Sequence, residues 1–195
     1  MEKFKLEVPT KSREKDAIEF IDEFIAYGSE INGTGGLDRY TNDYDAWLKK
    51  LEADYTRVPS EEKVPARTYF LVRENDNKIV GMINIRLALN EKLRRINGHI
   101  GYSIRPQERQ KGYNKINLYL GLMVCQKYGI HEVLMDCDKT NIASARTMQS
   151  LGARLVSEYF DEEEYNTLIQ KYTIDVDKSL EKYKEIYLPQ INSNI

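Results

Sequence analysis

The chain has 195 residues, enough for one substantial domain with its own core. Its 29 basic and 31 acidic side chains are interspersed and leave a net charge of -2, which argues against a general nucleic-acid or membrane-surface binder, because such proteins show a strongly basic balance. The apolar stretches fall far short of the roughly 18 residues a membrane span needs, the opening MEKFKLEV lacks the apolar centre of a signal peptide, and the few cysteines and histidines stand outside metal-ligand spacings, the pattern of a reduced, cytoplasmic protein without a metal site.

Residues 4–8 (FKLEV) read as a first strand closed by Pro9. Ala17, Ile18, Ile21 and Ile25 recur at helical intervals and predict a helix over 14–27. Residues 28–36 (GSEINGTGG) are a loop by composition. Trp47, Leu48 and Leu51 share one side of a second predicted helix over 43–55, with Asn42 and Asp43 placed to cap it. Pro59 and Pro65 bracket the loop behind it. The runs 69–72 (YFLV) and 79–83 (IVGMI) flank Asn75-Asp76-Asn77 and predict an antiparallel hairpin. A strand over 99–104, a helix over 112–128 and a short buried strand over 133–136 predict a parallel βαβ step. Asn141 opens a helix that runs to Leu151 and ends at Gly152. Strands over 154–160 and 167–176 follow, separated by the acidic run 161–164, which reads as a solvated turn, and a helix continues through Tyr183. No repeat or low-complexity segment interrupts the order, which is α+β in a single domain, 1–195.

The stretch 99–118, HIGYSIRPQERQKGYNKINL, carries the chemistry. Pro106 ends its strand by removing a backbone donor and restricting Arg105. Arg109-Gln110-Lys111-Gly112-Tyr113-Asn114 then leads into Ile116, Tyr119, Leu120 and Met123, which repeat at helical spacing. A helix start has unpaired N–H groups and a positive dipole end. Gly112 lets the main chain approach an anion, and Arg109 and Lys111 add charge. Such a place holds a diphosphate; spacing alone equally describes a solvated turn.

This stretch resembles the GNAT superfamily, the acetyl-CoA-dependent amine acetyltransferases. Their signature is Arg or Gln, two residues, Gly, one residue, then Gly or Ala, between a fourth strand and a helix. The residues from Arg109 to Asn114 match it except at Asn114, where a small residue is usual. A second segment, Asp138-Lys139-Thr140-Asn141-Ile142-Ala143-Ser144-Ala145-Arg146 with Leu151-Gly152-Ala153, is similar to the family's cofactor-lining helix. The resemblance is strongest over 69–160. It implies a mixed central sheet of about seven strands, flanked by helices, whose fourth and fifth strands splay apart. It also implies an acyltransferase that moves an acetyl group from acetyl-CoA to a primary amine of a small molecule or peptide, by direct attack in a ternary complex. On this reading the backbone of Tyr102, Ser103 and Ile104 pairs with the pantetheine arm. The N–H groups of Gln110, Lys111, Gly112, Tyr113 and Asn114, beside Arg109, cradle the diphosphate, and Asn141 and Ser144 line the far side of the arm.

The family often carries a glutamate base on its fourth strand, and the matching position here is His99. An imidazole with a pKa near 6.5 suits that task; the other reading is a strand histidine that hydrogen-bonds a neighbour. Glu91 and Glu108 are weaker candidates, expected to be exposed. The tyrosine that the family often places seven residues after its asparagine is replaced by Met148, so Tyr159, with Tyr113 and Tyr119 behind it, is the candidate proton donor to the leaving thiolate. Cys137 reads as a small buried hydrophobe ahead of a nucleophile. Asn114 and Met148 favour the competing function, a CoA-binding regulatory or sensor module without turnover. A nucleic-acid binder built on Arg94, Arg95, Arg105, Arg109 and Lys111 is disfavoured by the charge balance. Homodimers are common in the family, and no residue of this sequence specifies one.

Overall fold

In the computed structural model, which describes residues 2–192, the chain order is β1 (Phe4–Glu7), α1 (Glu14–Ala26), α2 (Tyr44–Tyr55), β2 (Ala66–Arg73), β3 (Lys78–Arg86), α3 (Glu91–Arg95), β4 (Ile100–Ile104), α4 (Tyr113–Lys127), β5 (Glu132–Asp138), α5 (Ile142–Ser150), β6 (Arg154–Asp161), β7 (Thr167–Asp175) and α6 (Val176–Tyr187). The strands form two sheets, β1-β2-β3-β4 and β5-β7-β6, and every ladder within them is antiparallel.

Helices cover both faces of the first sheet. On β2, Tyr69 and Leu71 point into the cluster beneath α4 and α6, while Phe70 and Val72 point into the cluster beneath α1 and α2. A strand buried on both faces needs no polar alternation, which is why 69–72 is one apolar run. Helix α1 buries Ala17, Phe20, Ile21 and Phe24, a face spaced i, i+3, i+4, i+7, and leaves Ile25 outside it at 66% exposure. Each fully buried side chain of this size contributes about 2 kcal/mol. Helix α4 lies close on β3 because Gly121 has no side chain; a Cβ there would stand 2.5 Å from Ile83 Cδ1.

Four of the six helices, α2, α3, α5 and α6, start at a side-chain cap. The side chains of Asp43, Asn90, Asn141 and Asp175 accept N–H bonds from Ala46, Leu93, Ser144 and Lys178 at 2.9, 2.9, 3.0 and 3.1 Å. Helix α3 is absent from the sequence reading, since its five residues carry no periodic signal. The acidic run 161–164 differs from a simple solvated turn. Asp161 is 1% exposed and accepts the backbone N–H groups of Glu164 and Tyr165, at 3.0 and 2.9 Å, and Arg95 Nη1 at 2.8 Å. This carboxylate pins the β6–β7 turn to α3.

The feature that positions the site is the relation of β4 to β5. They meet where the His99 N–H donates to the Leu134 C=O at 2.7 Å. Gly98 makes the meeting possible: it has φ 56°, and a Cβ would stand 2.2 Å from the Leu134 oxygen. Beyond this point β4 continues along β3 and β5 along β7, and no ladder joins the two among the described residues. The expected parallel step is thus reduced to one backbone hydrogen bond, because each strand finds its full partner elsewhere.

Candidate active site

The parting of β4 from β5 opens a cleft of about 1250 Å³. Its walls are the loop 28–33, β4, residues 112–115 at the start of α4, Met135 to Asp138 of β5, and Asn141, Ser144 and Thr147 of α5. Strand β4 presents an open edge to it. The Arg105 N–H donates to the Val80 C=O at 2.9 Å, on the β3 side. Alternation then turns the main-chain groups of Ser103 and Gly101 toward β3 and those of Ile104 and Tyr102 toward the cleft. Of the three residues expected to offer main-chain groups, Ser103 is therefore the exception; it brings a buried hydroxyl with no protein partner. The Ile104 C=O accepts Arg109 Nε at 3.3 Å.

The α4 entrance has the shape of an anion cradle. Gln110 has φ 63° and Gly112 φ 82°, and open space lies above Gly112, where a Cβ would meet nothing within 4 Å. Left-handed residues alternating with ordinary ones turn successive N–H groups to one side, and α4 adds its own unpaired N–H groups. The two basic side chains serve other partners. Arg109 Nη2 donates to Ser29 Oγ at 2.7 Å and its guanidinium sits 5.2 Å over the Phe24 ring, so it braces the loop after α1 against β4. Lys111 turns away from the cleft to Glu108 at 2.8 Å, which leaves its main chain for the cradle. The Tyr113 ring packs on Phe4 and its hydroxyl donates to Glu2. Asn114 reaches Thr147 of α5 at 3.5 Å, and its Oδ1 is buried without a partner.

Across the cleft, the Tyr102 hydroxyl pairs with Ser144 Oγ at 3.0 Å, and burial holds its pKa above the ordinary tyrosine value. Cys137 lies beside this pair, its thiol pushed up by burial to about 11, so it stays protonated and a poor nucleophile. Asn141 contributes its position, since its side chain caps α5.

Neither candidate catalytic residue lines the cleft. The Leu134 N–H donates to His99 Nδ1 at 3.0 Å, so the lone pair that a base needs is engaged. Together with the reciprocal backbone bond, the side chain acts as a substitute carbonyl at the point where the sheets part. Burial brings the imidazole down to about 4. The Tyr159 hydroxyl donates to the Arg95 C=O at 2.7 Å. Glu108, expected exposed, is buried beneath Arg73, Lys78 and Lys111, and despite its desolvation these cations hold it at about 2. The basic residues weighed as a nucleic-acid surface are also dispersed: Arg105 is buried against Glu23 and Arg95 pairs with Asp161 and Glu163.

Two groups that the sequence reading passed over face the cleft. Asp136, on β5, accepts the Asn97 N–H at Oδ2, 2.6 Å away, and burial raises its pKa. Arg86, at the end of β3, donates from Nη1 to the carbonyls of Asn97 and Gly98 at 3.2 and 3.0 Å. A signal for Asp136 existed: in VLMDCD, period-two alternation places it on the face opposite Met135 and Cys137. Among the described residues, no group of three or more His, Cys, Asp or Glu side chains is placed to hold a metal ion, and no helix is long and apolar enough to cross a membrane.

A family model described as an acetyltransferase (GNAT) domain matches residues 13–154. No curated protein sequence matches the chain. Solved structures of similar fold include Mycobacterium smegmatis RimJ in complex with CoA-disulfide, with TM-score 0.65 and 15% identity, covering 92% of this chain and 88% of that one. The microcin C7 self-immunity acetyltransferase MccE, in complex with acetyl-CoA and AMP, has TM-score 0.65 and 16% identity over 88% of this chain and 91% of its own. Salmonella typhimurium yncA, described as a putative acetyltransferase with its cofactor acetyl-CoA, has TM-score 0.62 and 16% identity over 90% and 95%. At such identities the likeness carries the fold. Family match, splayed strands and glycine-marked helix entrance agree: the chain belongs to the GNAT acetyltransferase family, whose members use acetyl-CoA as cosubstrate.

Proposed function

We propose that the protein transfers the acetyl group of acetyl-CoA to a primary amine by direct attack, without a covalent enzyme intermediate. The observation that carries this is the juxtaposition of the left-handed Gln110–Gly112 entrance with the open edge of β4 on one cleft. The N–H groups from Gln110 to Asn114 hold the diphosphate, and the main-chain groups of Tyr102 and Ile104 pair with the amides of the arm. Acetyl-CoA supplies an activated acyl group, so the chain's task is alignment and proton handling.

An ammonium with a pKa of about 10.4 must lose a proton before it can attack. Asp136 is the base we assign, because it faces the cleft with only its Oδ2 engaged among the described residues, while His99 Nδ1 is occupied. The amine gives one proton to Asp136, its nitrogen forms the new C–N bond and releases a second proton as the amide forms, the C–S bond breaks, and the thiolate takes up one proton, so that the net proton stays on Asp136. The protonated hydroxyl pair of Tyr102 and Ser144 is the donor set that fits this last step.

The engagement of both His99 and Tyr159 by their own backbone neighbours favours one alternative, a CoA-binding module without turnover. Calorimetry with acetyl-CoA, combined with thiol release on a panel of amines, separates the two. Binding with amine-dependent thiol release, lost in Asp136→Asn, is the expected result. Binding with no turnover on any amine selects the sensor, and no binding removes both.

A further inference from the structure

One cation in the cleft forms no salt bridge among the described residues. Arg86 is half-buried and donates from Nη1 to two neutral carbonyls, with Asp136 as its nearest opposite charge. Among the described residues no acceptor meets its Nε or Nη2, and a half-buried guanidinium with these donors open presents a fork that matches an anion bidentately. The anion is not the diphosphate held at the α4 entrance. The Arg86 N–H bonds the His99 C=O, at the joined end of β4, whereas the cradle follows the other end. Five residues of strand separate them, about 16 Å.

Beside Arg86 stands the one cleft carboxylate placed to receive an ammonium. Asp136 and Arg86 grip the same residue, Asn97, one at its N–H and the other at its C=O, and the two charges are near enough to act on each other. The other acidic groups of the cleft do not form such a pair: Asp138 accepts both the N–H and the hydroxyl of Thr140, Glu108 is bound by Arg73, Lys78 and Lys111, and Glu30 is exposed on the loop after α1. Tyr165 closes this end from the β6–β7 turn, its hydroxyl donating to Asn97 Oδ1 at 3.1 Å. A plus and a minus charge at this separation, at the end of the cleft remote from the diphosphate cradle, complement a small molecule carrying both.

We infer that the acceptor is a small zwitterion of the amino-acid class, its carboxylate held by Arg86 and its ammonium delivered to Asp136. The inference rests on the transferase reading and narrows it: a polyamine would set a second cation against Arg86, and an amine without an anionic group would leave the guanidinium unpaired.

The test compares free amino acids with their own carboxamides and with spermidine, using thiol release from acetyl-CoA by the full chain. The wild-type protein is expected to use the preferred amino acid at least tenfold better in kcat/KM than its carboxamide. That ratio should collapse toward one in Arg86→Gln, mainly through KM, and fall part of the way in Arg86→Lys, which keeps a charge without the fork. Because Arg86 also holds the turn before β4, the wild-type acid-to-amide ratio decides the matter even if the variants fold poorly. Acetyl-CoA affinity, measured by calorimetry, distinguishes the two levels of failure. Intact binding with equal use of acid and amide, with preference for spermidine, or with no free amino acid acetylated overturns this inference alone. Loss of binding overturns the transferase reading with it.

Discussion

Replacing His99 by asparagine isolates the role of its ring nitrogen. Asparagine Oδ1 can accept the Leu134 N–H from nearly the place of Nδ1, yet it does not titrate. In the native protein burial disfavours the charged ring, and the neutral ring accepts the Leu134 N–H at Nδ1. The unfolded chain therefore takes up the proton first. Stability is complete above pH 6.5, falls with pH below it, and levels off beneath about 4. With an unfolded value of 6.5 and a folded value of about 4, linkage removes about 1.2 kcal/mol between pH 7 and pH 5.5, out of a total of about 3 kcal/mol. Lowered carboxylates such as Glu108 are lost only as pH falls beneath 4.5, outside this window. Urea unfolding followed by fluorescence of Trp47, the single buried tryptophan, measures the difference. The wild-type protein should weaken by that amount over the window while His99→Asn stays flatter by the same amount. His99→Leu should cost about 1–3 kcal/mol at pH 7, because the Leu134 N–H is left without a partner. Equal slopes in the wild type and His99→Asn would refute the clasp.

Three further outcomes follow from the site. Gly112→Val should raise the dissociation constant for CoA at least tenfold by calorimetry, since valine disfavours φ 82° and its side chain enters the open space above the cradle; an unchanged constant contradicts the diphosphate site. Glu108→Gln should cost about 2 kcal/mol in urea unfolding, a figure reduced from that of a fully buried pair because Lys78 and Lys111 are partly exposed. A loss below 0.5 kcal/mol would show that its three cations need no central charge. Asn141→Ala should cost about 1 kcal/mol by removing the cap of α5, while Asn141→Ser retains most of it. Equal loss in both would place the role of Asn141 elsewhere.

The long elements were legible because their burial follows a simple period. Helix α1 and the β2–β3 hairpin emerge from spacing alone, and the entrance to α4 emerges from one glycine beside a proline-ended strand. What escaped depends on side chains imitating main chain. His99 has the sequence appearance of a catalytic base, yet its ring stands in for a main-chain carbonyl at the point where β4 and β5 meet. Asp161 sits in an acidic run that composition assigns to solvent, yet two backbone N–H groups and an arginine hold it inside. Arg86 and Asp136 come from strands 50 positions apart in sequence and meet only through Asn97, a juxtaposition that no local pattern encodes.

Because the two sheets share a single main-chain hydrogen bond among the described residues, their mutual angle is set by side-chain packing and not by ladder rungs. His99 and Leu134 form the pivot between them, with Gly98 allowing the close approach, and the gap beyond it is backed by packed helices rather than spanned by strand pairing. The Leu134 amide, fastened by an imidazole instead of a carbonyl, then serves as a gauge. Its rate of deuterium uptake registers each time the pivot loosens, and a molecule wedged along the open edge of β4 would register there as a change of rate at an atom it never touches.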